Sequence, residues 1–238
     1  DFDDSSSLDE VGNVIEIGDG IARVYGLANA QYGELVSFEN GMLGMVLNLE
    51  EDNVGVVLLG ASKTVKEGDI VKRTNTIGSI NVGENIIGRV VDTLGKPIDG
   101  KGPIPATTEY PLMGSPINPL ERKRLKEPLD VGIKSINGLL SFAKGQRVGI
   151  LAGTGVGKSV LMGMIARNTS ADINVIALIG ERGREVKEFI DENLGEEGLE
   201  RSIIIAAASD QPPLVRLRGA FIATTIAEYF RDQGQDVM

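Results

Sequence analysis

The chain has 238 residues, 42% apolar and 24% charged, which is enough to bury a core over one or two domains. It contains no His and no Cys, so Ser-His-Asp and Cys-His nucleophile systems, thiolate or imidazole zinc sites and disulfide scaffolds are excluded. The net charge of −10 argues against a general nucleic-acid binder, and all of it lies in residues 1–110, where 8 Lys+Arg face 18 Asp+Glu, whereas residues 111–238 carry 16 of each.

Residues 1–10, Asp-Phe-Asp-Asp-Ser-Ser-Ser onward, read as a polar, frayed start with no basic, apolar leader. Residues 11–75 alternate short apolar runs with Gly and Asn, predicting a six-stranded barrel with strands over 11–17, 21–25, 34–38, 43–49, 54–59 and 69–74. Gly18-Asp19-Gly20, Asn40-Gly41, Glu51-Asp52-Asn53 and Glu67-Gly68 supply the turns, because Gly and Asn accept positive φ cheaply. Residues 76–130 form a linker with one connecting strand at 86–92. Seven of the nine prolines fall between Pro97 and Pro128, so this stretch is expected to be extended and strapped over the surface. Its basic run, Glu121 to Lys126, reads as a solvated face.

From 131 to 238 the rhythm becomes strand, Gly-rich turn, helix. Strands are predicted at 147–151, 174–179 and 202–208, helices at 159–167, 184–193 and 214–232, and a last strand from about 236. β-Branched runs alternating with amphipathic helices give an α/β, doubly wound parallel sheet. No apolar run approaches the roughly 18 residues that span a bilayer, so a soluble, cytoplasmic protein without membrane insertion is expected.

The chemistry concentrates in the turns after the predicted strands. Ala152-Gly153-Thr154-Gly155-Val156-Gly157-Lys158-Ser159 fits the phosphate-loop pattern GxxxxGK[ST] except that Ala152 stands at the first Gly. Three glycines in five residues let successive amides converge on one phosphate, and the following helix adds its positive end. Gly153, Thr154, Gly155, Val156, Gly157, Lys158, Ser159 and Val160 are the candidate nucleotide-binding residues, with Lys158 on the β- and γ-oxygens and Ser159 on Mg²⁺. One strand later, Gly180-Glu181-Arg182-Gly183-Arg184-Glu185 places Glu181 to polarise an attacking water, with Arg182 or Arg184 balancing phosphate charge. The same residues also suit a charged helix start, with Glu185 and Glu188 stabilising its first turn. In the third loop, Asp210 and Arg216 suit either a helix cap and solvated face or a ligand contact.

At these residues the chain resembles the catalytic-head subunits of the rotary ATPase superfamily. VGNVIEIGDGIARVYGL, LNLEEDNVGVVLLG, GDIVKRT and GRVVDTLGKPIDGKGPI are similar to the barrel and linker of the F-type ATP synthase alpha subunit. From about Asn118, NPLERKRLKEPLDVGIKSINGLL, KGQRVGILAGTGVGKSVLMGMIARNT, NVIALIGERGREVKEFI, SDQPPLVRLR and IAEYFRDQGQDV resemble the flagellar and type III secretion export ATPases. A junction near 112–118 would make the chain a chimera or a divergent fusion. The resemblance implies a partial RecA-like sheet, ATP/ADP and Mg²⁺ as ligands, Glu181 in the catalytic position where alpha subunits have Gln, Glu185 near Mg²⁺, and Arg216 near the γ-phosphate. It also implies a hexameric ring with a central stalk and a membrane complex, and a chain stopping at Met238 inside the strand that carries the Walker B aspartate, which would leave a sticky sheet edge.

Two functions follow as expectations. One is a Mg-ATP-binding rotary-type ATPase subunit hydrolysing ATP by in-line attack of water, with Lys158, Glu181 and Arg182 as catalytic residues. The other is a non-catalytic nucleotide-binding or ring-assembly module with no turnover in these 238 residues.

Overall fold

The computed structural model describes residues 10–60, 64–105, 108–112, 114, 117–153 and 155–238. The expected frayed start therefore lies, apart from Glu10, outside the described residues. The chain divides into two units: residues 1–79, 111–113 and 212–215 make one, and 80–110, 114–211 and 216–238 make the other.

The first unit is a closed barrel of β1 (Val11–Gly18), β2 (Ile21–Tyr25), β3 (Glu34–Phe38), β4 (Leu43–Leu49), β5 (Val54–Leu58) and β6 (Ile70–Ile77). The strands run in the order β1-β2-β5-β4-β3-β6, and β6 closes on β1. Alternation drives the closure. Val14, Ala22, Val24, Val36, Phe38, Val46, Val56 and Val71 are buried in one cluster, and most of their neighbours along the strands are more exposed, Val57 being a buried exception. Asp19 and Gly20 both take positive φ, 49° and 79°, in the β1–β2 turn, and the Asn40 Oδ1 accepts the Met42 amide at 2.9 Å in the β3–β4 turn.

Among the described residues of this unit, one charged side chain is buried. Glu34, 1% exposed, accepts Arg73 Nε and Nη2 at 2.9 and 3.0 Å and the amides of Gln31 and Asn75 at 2.9 and 3.2 Å. Arg73 reaches Glu10 with its Nη1 at 2.9 Å, and these two carboxylates raise the guanidinium's pKa above its ordinary value. The buried charge is thus paired and its acceptor sites are filled.

The second unit holds a parallel sheet in the order β10 (Asn174–Ile179), β11 (Ser202–Ala207), β8 (Val90–Val91). β11 is buried at every position, as a central parallel strand covered on both faces. On one face α1 (Lys158–Asn168) and the helical run after β10 bring Ala166, Phe189 and Leu194 onto Ile176, Leu178 and Ile204. On the other, Gly219 of α4 (Pro213–Asp232) leaves only 3.3 Å between a would-be Cβ and that of Ala207. β7 (Ser79–Val82) and β9 (Thr108–Pro111) pair separately.

Several expectations change. The strand expected at 86–92 is a 3-10 turn, Glu84–Ile86, followed by two strand residues, because Gly88 takes φ 77° and gives its amide to Ser202 before the chain reaches β11. The helix expected at 184–193 is α2 (Gly183–Glu188), a π-helical turn (Phe189–Leu194) and α3 (Gly195–Glu200). The last strand is reduced to a parallel bridge of Val237 with Ile173, extended by the Val175 amide on the Met238 carbonyl at 2.8 Å.

The largest correction is the strand expected before the Gly-rich loop. Residues 147–151 form no ladder, and Val148, Ile150 and Leu151 are 44%, 36% and 98% exposed. Their composition suits a buried parallel strand, but among the described residues only Val237 and Met238 occupy the free edge of β10. A cavity of about 460 Å³, lined by Val148, Ile150, Met162, Ile165, Val175 and Met238 among others, lies on that side. A strand without a neighbour has no backbone partners and cannot hold strand geometry.

Candidate functional site

Local chemistry shapes the loop before α1. Gly155 and Gly157 take φ of 77° and 91°, a region that side-chain-bearing residues avoid, and a Cβ built on Gly153, Gly155 or Gly157 would meet nothing within 4 Å. The space beside these three glycines is therefore open. Gly157 is the N-cap of α1 without a side-chain cap, and its carbonyl accepts the Leu161 amide at 2.9 Å. The amides of Lys158, Ser159 and Val160 then stand in the first turn, where no intrahelical acceptor exists, at the positive end of an eleven-residue helix. Val156 and Val160 are exposed. Thr154 lies outside the described residues.

The loop after β10 meets this helix start. Lys158 Nζ lies 3.7 Å from Glu181 Oε1, with the two side chains 44% and 37% exposed. The backbone under Glu181 is fixed on both sides. The Gly180 amide donates to Ala207 at 2.8 Å, and the Glu181 carbonyl accepts the Ser209 amide at 2.9 Å. The loops that follow β10 and β11 therefore run side by side at the carboxyl ends of parallel strands, where open α/β sheets take their ligands.

Arg216, in α4, joins them from the third side. Its Nη1 lies 3.6 Å from a would-be Cβ of Gly180, and its Nε is buried without a hydrogen-bond partner. Two residues on, Arg218 is buried and spends its Nε on the Thr93 carbonyl at 2.9 Å. Burial pulls its pKa below the ordinary guanidinium value, with Asp92 opposing. Arg218 thus holds α4 in place, while Arg216 sets its Nη1 by Gly180 and leaves its buried Nε without a partner.

Arg182 and Glu185 take a different course. They pair with each other at 3.7 Å across the first turn of α2, with Arg182 69% exposed. Among the described contacts none joins Glu185 to Ser159 or Arg182 to Lys158. Sequence spacing brought Lys158, Glu181 and Arg216 onto one list; the fold pairs Lys158 with Glu181 and sets Arg216 beside Gly180, the residue before Glu181. The Ser209 amide and Gly180, which position Glu181, escaped that reading, since a backbone donor carries no side-chain signal and Gly180 only marks a turn.

The donor set is backbone amides, one lysine, one hydroxyl, one carboxylate and an arginine with a free Nε. It suits a phosphorylated ligand with an oxygen-bound cation, and it offers no soft metal ligand. Among the described residues no group of three or more Asp or Glu side chains is arranged to hold a metal ion, so a cation here would depend on the ligand's own oxygens. Among the same residues no helix is long and apolar enough to cross a membrane.

The beta-barrel domain of the ATP synthase alpha/beta family matches residues 8–75, and the nucleotide-binding domain of the same family matches residues 132–238. The chain is 47% identical over 235 residues to the flagellum-specific ATP synthase of Bacillus subtilis, covering 97% of this chain and 51% of the relative. It is 46% identical over 246 aligned residues to ATP synthase subunit alpha of Christiangramia forsetii, covering 100% and 47%. The flagellum-specific ATP synthase of Pseudomonas aeruginosa is 52% identical over 193 residues, 81% of this chain and 43% of that protein. The chain thus spans about half the length of the curated relatives it matches. Single relatives of both kinds align across residues 112–118.

Proposed function

Because the chain belongs to the ATP synthase alpha/beta family, we propose that its second unit binds Mg-ATP in the loop before α1, as a nucleotide-binding subunit of the rotary type. The observation that carries this reading is the meeting of the Gly153–Ser159 loop with the end of β10, through Lys158 and Glu181 at 3.7 Å. In this reading the amides of the first turn of α1 and Lys158 hold the β- and γ-phosphates, and the free Nε of Arg216 turns to the γ-phosphate. Mg²⁺ would be held by Ser159 and Glu185 and would supply charge neutralisation at the phosphate oxygens.

In a subunit of the relatives' full length, Glu181 then orients and deprotonates the attacking water, which needs no histidine, and Arg182 or Arg184 adds positive charge. A hexameric ring working against a central stalk and a membrane complex belongs to the same proposal. For these 238 residues alone, binding without turnover is the better reading, because residues 147–151, which lead into the loop, have no neighbouring strand. Phosphate release measured beside an ATP titration decides between them. Saturable Mg-ATP binding with no phosphate release is expected; release at rates of order 1 s⁻¹ or above, in the kinetic range of enzymes, would overturn the non-catalytic reading of this chain. Absence of any ATP binding would overturn both.

A further inference from the structure

We propose that Glu181 is an internal competitor for Lys158: the carboxylate occupies the lysine until a phosphate displaces it, so that the base is released to the water only when the site is loaded. This rests on the nucleotide-binding reading above and concerns the regulation of that same site.

The geometry supplies the argument. Lys158 stands at the first position of α1 and can present one ammonium. In the structure that ammonium faces Glu181 at 3.7 Å, and the backbone beneath Glu181 is held by two hydrogen bonds and cannot carry the carboxylate away. Among the described salt bridges Glu181 meets no cation but Lys158, and Arg182 is paired with Glu185. A phosphate entering the loop draws on the same Lys158 ammonium that faces Glu181, and to the extent that it displaces the carboxylate, the pair and the ligand weaken each other equally by linkage. Both side chains are more than a third exposed, so the competition is worth a few-fold in affinity rather than orders of magnitude, and salt screens it.

The test is Mg-ATP affinity by calorimetry for the whole chain and three variants. Glu181→Gln removes the competitor and is expected to bind about two- to fivefold tighter, the range of an exposed pair. Glu181→Asp keeps the charge but withdraws it by one methylene, and is expected to lie between wild type and Glu181→Gln. Repulsion between a carboxylate and phosphate without pairing would leave Glu181→Asp at the wild-type affinity, and that result overturns the proposal, as does no gain in Glu181→Gln. Raising the salt to about 1 M, where the screening length is about 3 Å, is expected to bring the three affinities together; an undiminished gap contradicts a half-exposed pair. Lys158→Ala is the separate control. If it binds like wild type, the nucleotide-binding reading itself fails.

Discussion

Arg73 sits between two carboxylates, one buried and one at the rim, and its neighbours measure the difference between them. Glu34 is buried and has four hydrogen-bond donors, whereas Glu10 is a fifth exposed. Removing a buried partner strands the opposite charge, at a cost of about 3–5 kcal/mol. Glu34→Ala is therefore expected to lower the barrel's unfolding free energy by about 3 kcal/mol in urea, and Glu10→Ala by about 1 kcal/mol or less, as for pairs nearer solvent. Equal losses would mean that burial does not set the value of the pair. In the second unit Arg89 holds Asp99 by two hydrogen bonds, at 2.7 and 2.9 Å, and the Lys101 and Val90 amides add to them. These contacts keep the Asp99 carboxyl well below the usual carboxylate range. A depressed carboxylate stabilises the fold above its unfolded pKa, about 3.9, and loses that contribution as the pH falls below it. Asp99→Asn is expected to cost about 2 kcal/mol at pH 7, with the gap to wild type closing as the pH is lowered from about 5 to 2. A gap that widened with acid would contradict the assignment.

At the scale of elements, the contact between α1 and the π-helical turn organises the sheet's lower face. A Cβ on Gly163 would stand 2.4 Å from the Asn193 carbonyl oxygen, an approach no side chain tolerates. Ala in an exposed helix interior gains about 1 kcal/mol over Gly; here Gly163→Ala is expected to lose about 1–3 kcal/mol by overpacking. A raised melting temperature would show that α1 and the turn do not pack this closely. The barrel's strands were legible in sequence because each has its own local marker: Asp19-Gly20 and Asn40-Gly41 name their turns, and alternation names the inward face. The bulges between Val14 and Glu16, Glu34 and Val36, and Val46 and Asn48 were not, since an inserted residue is decided by ladder closure. The second unit was less legible for the same reason. Val90 and Val91 become a sheet strand only through β11, and residues 147–151 fail to become one for lack of a partner. The Gly-rich loop and the start of α1 were legible because glycines, a lysine and a helix start are local signals. Glu181 and Arg216 needed the fold to bring them there.

For the molecule as a whole, charge and chemistry divide along the chain. Residues 1–110 carry the entire −10, and the unit proposed to receive a polyanion draws mainly on residues 111–238, which are neutral in sum, so cations at the loop ends are not opposed by a large background field. Two parts of one family cover the barrel and the nucleotide-binding unit, yet the relatives are about twice as long. The second unit brings together the Gly-rich loop, its helix and the two neighbouring strand ends, and in the proposed reading the loop's amides and Lys158 supply most of the affinity. Calorimetric titration of Mg-ATP into the chain and into Lys158→Ala tests this most directly. Saturable binding to the chain, lost or weakened at least about tenfold in the variant, equivalent to 1.4 kcal/mol, is the predicted result; identical isotherms for the two proteins would contradict it.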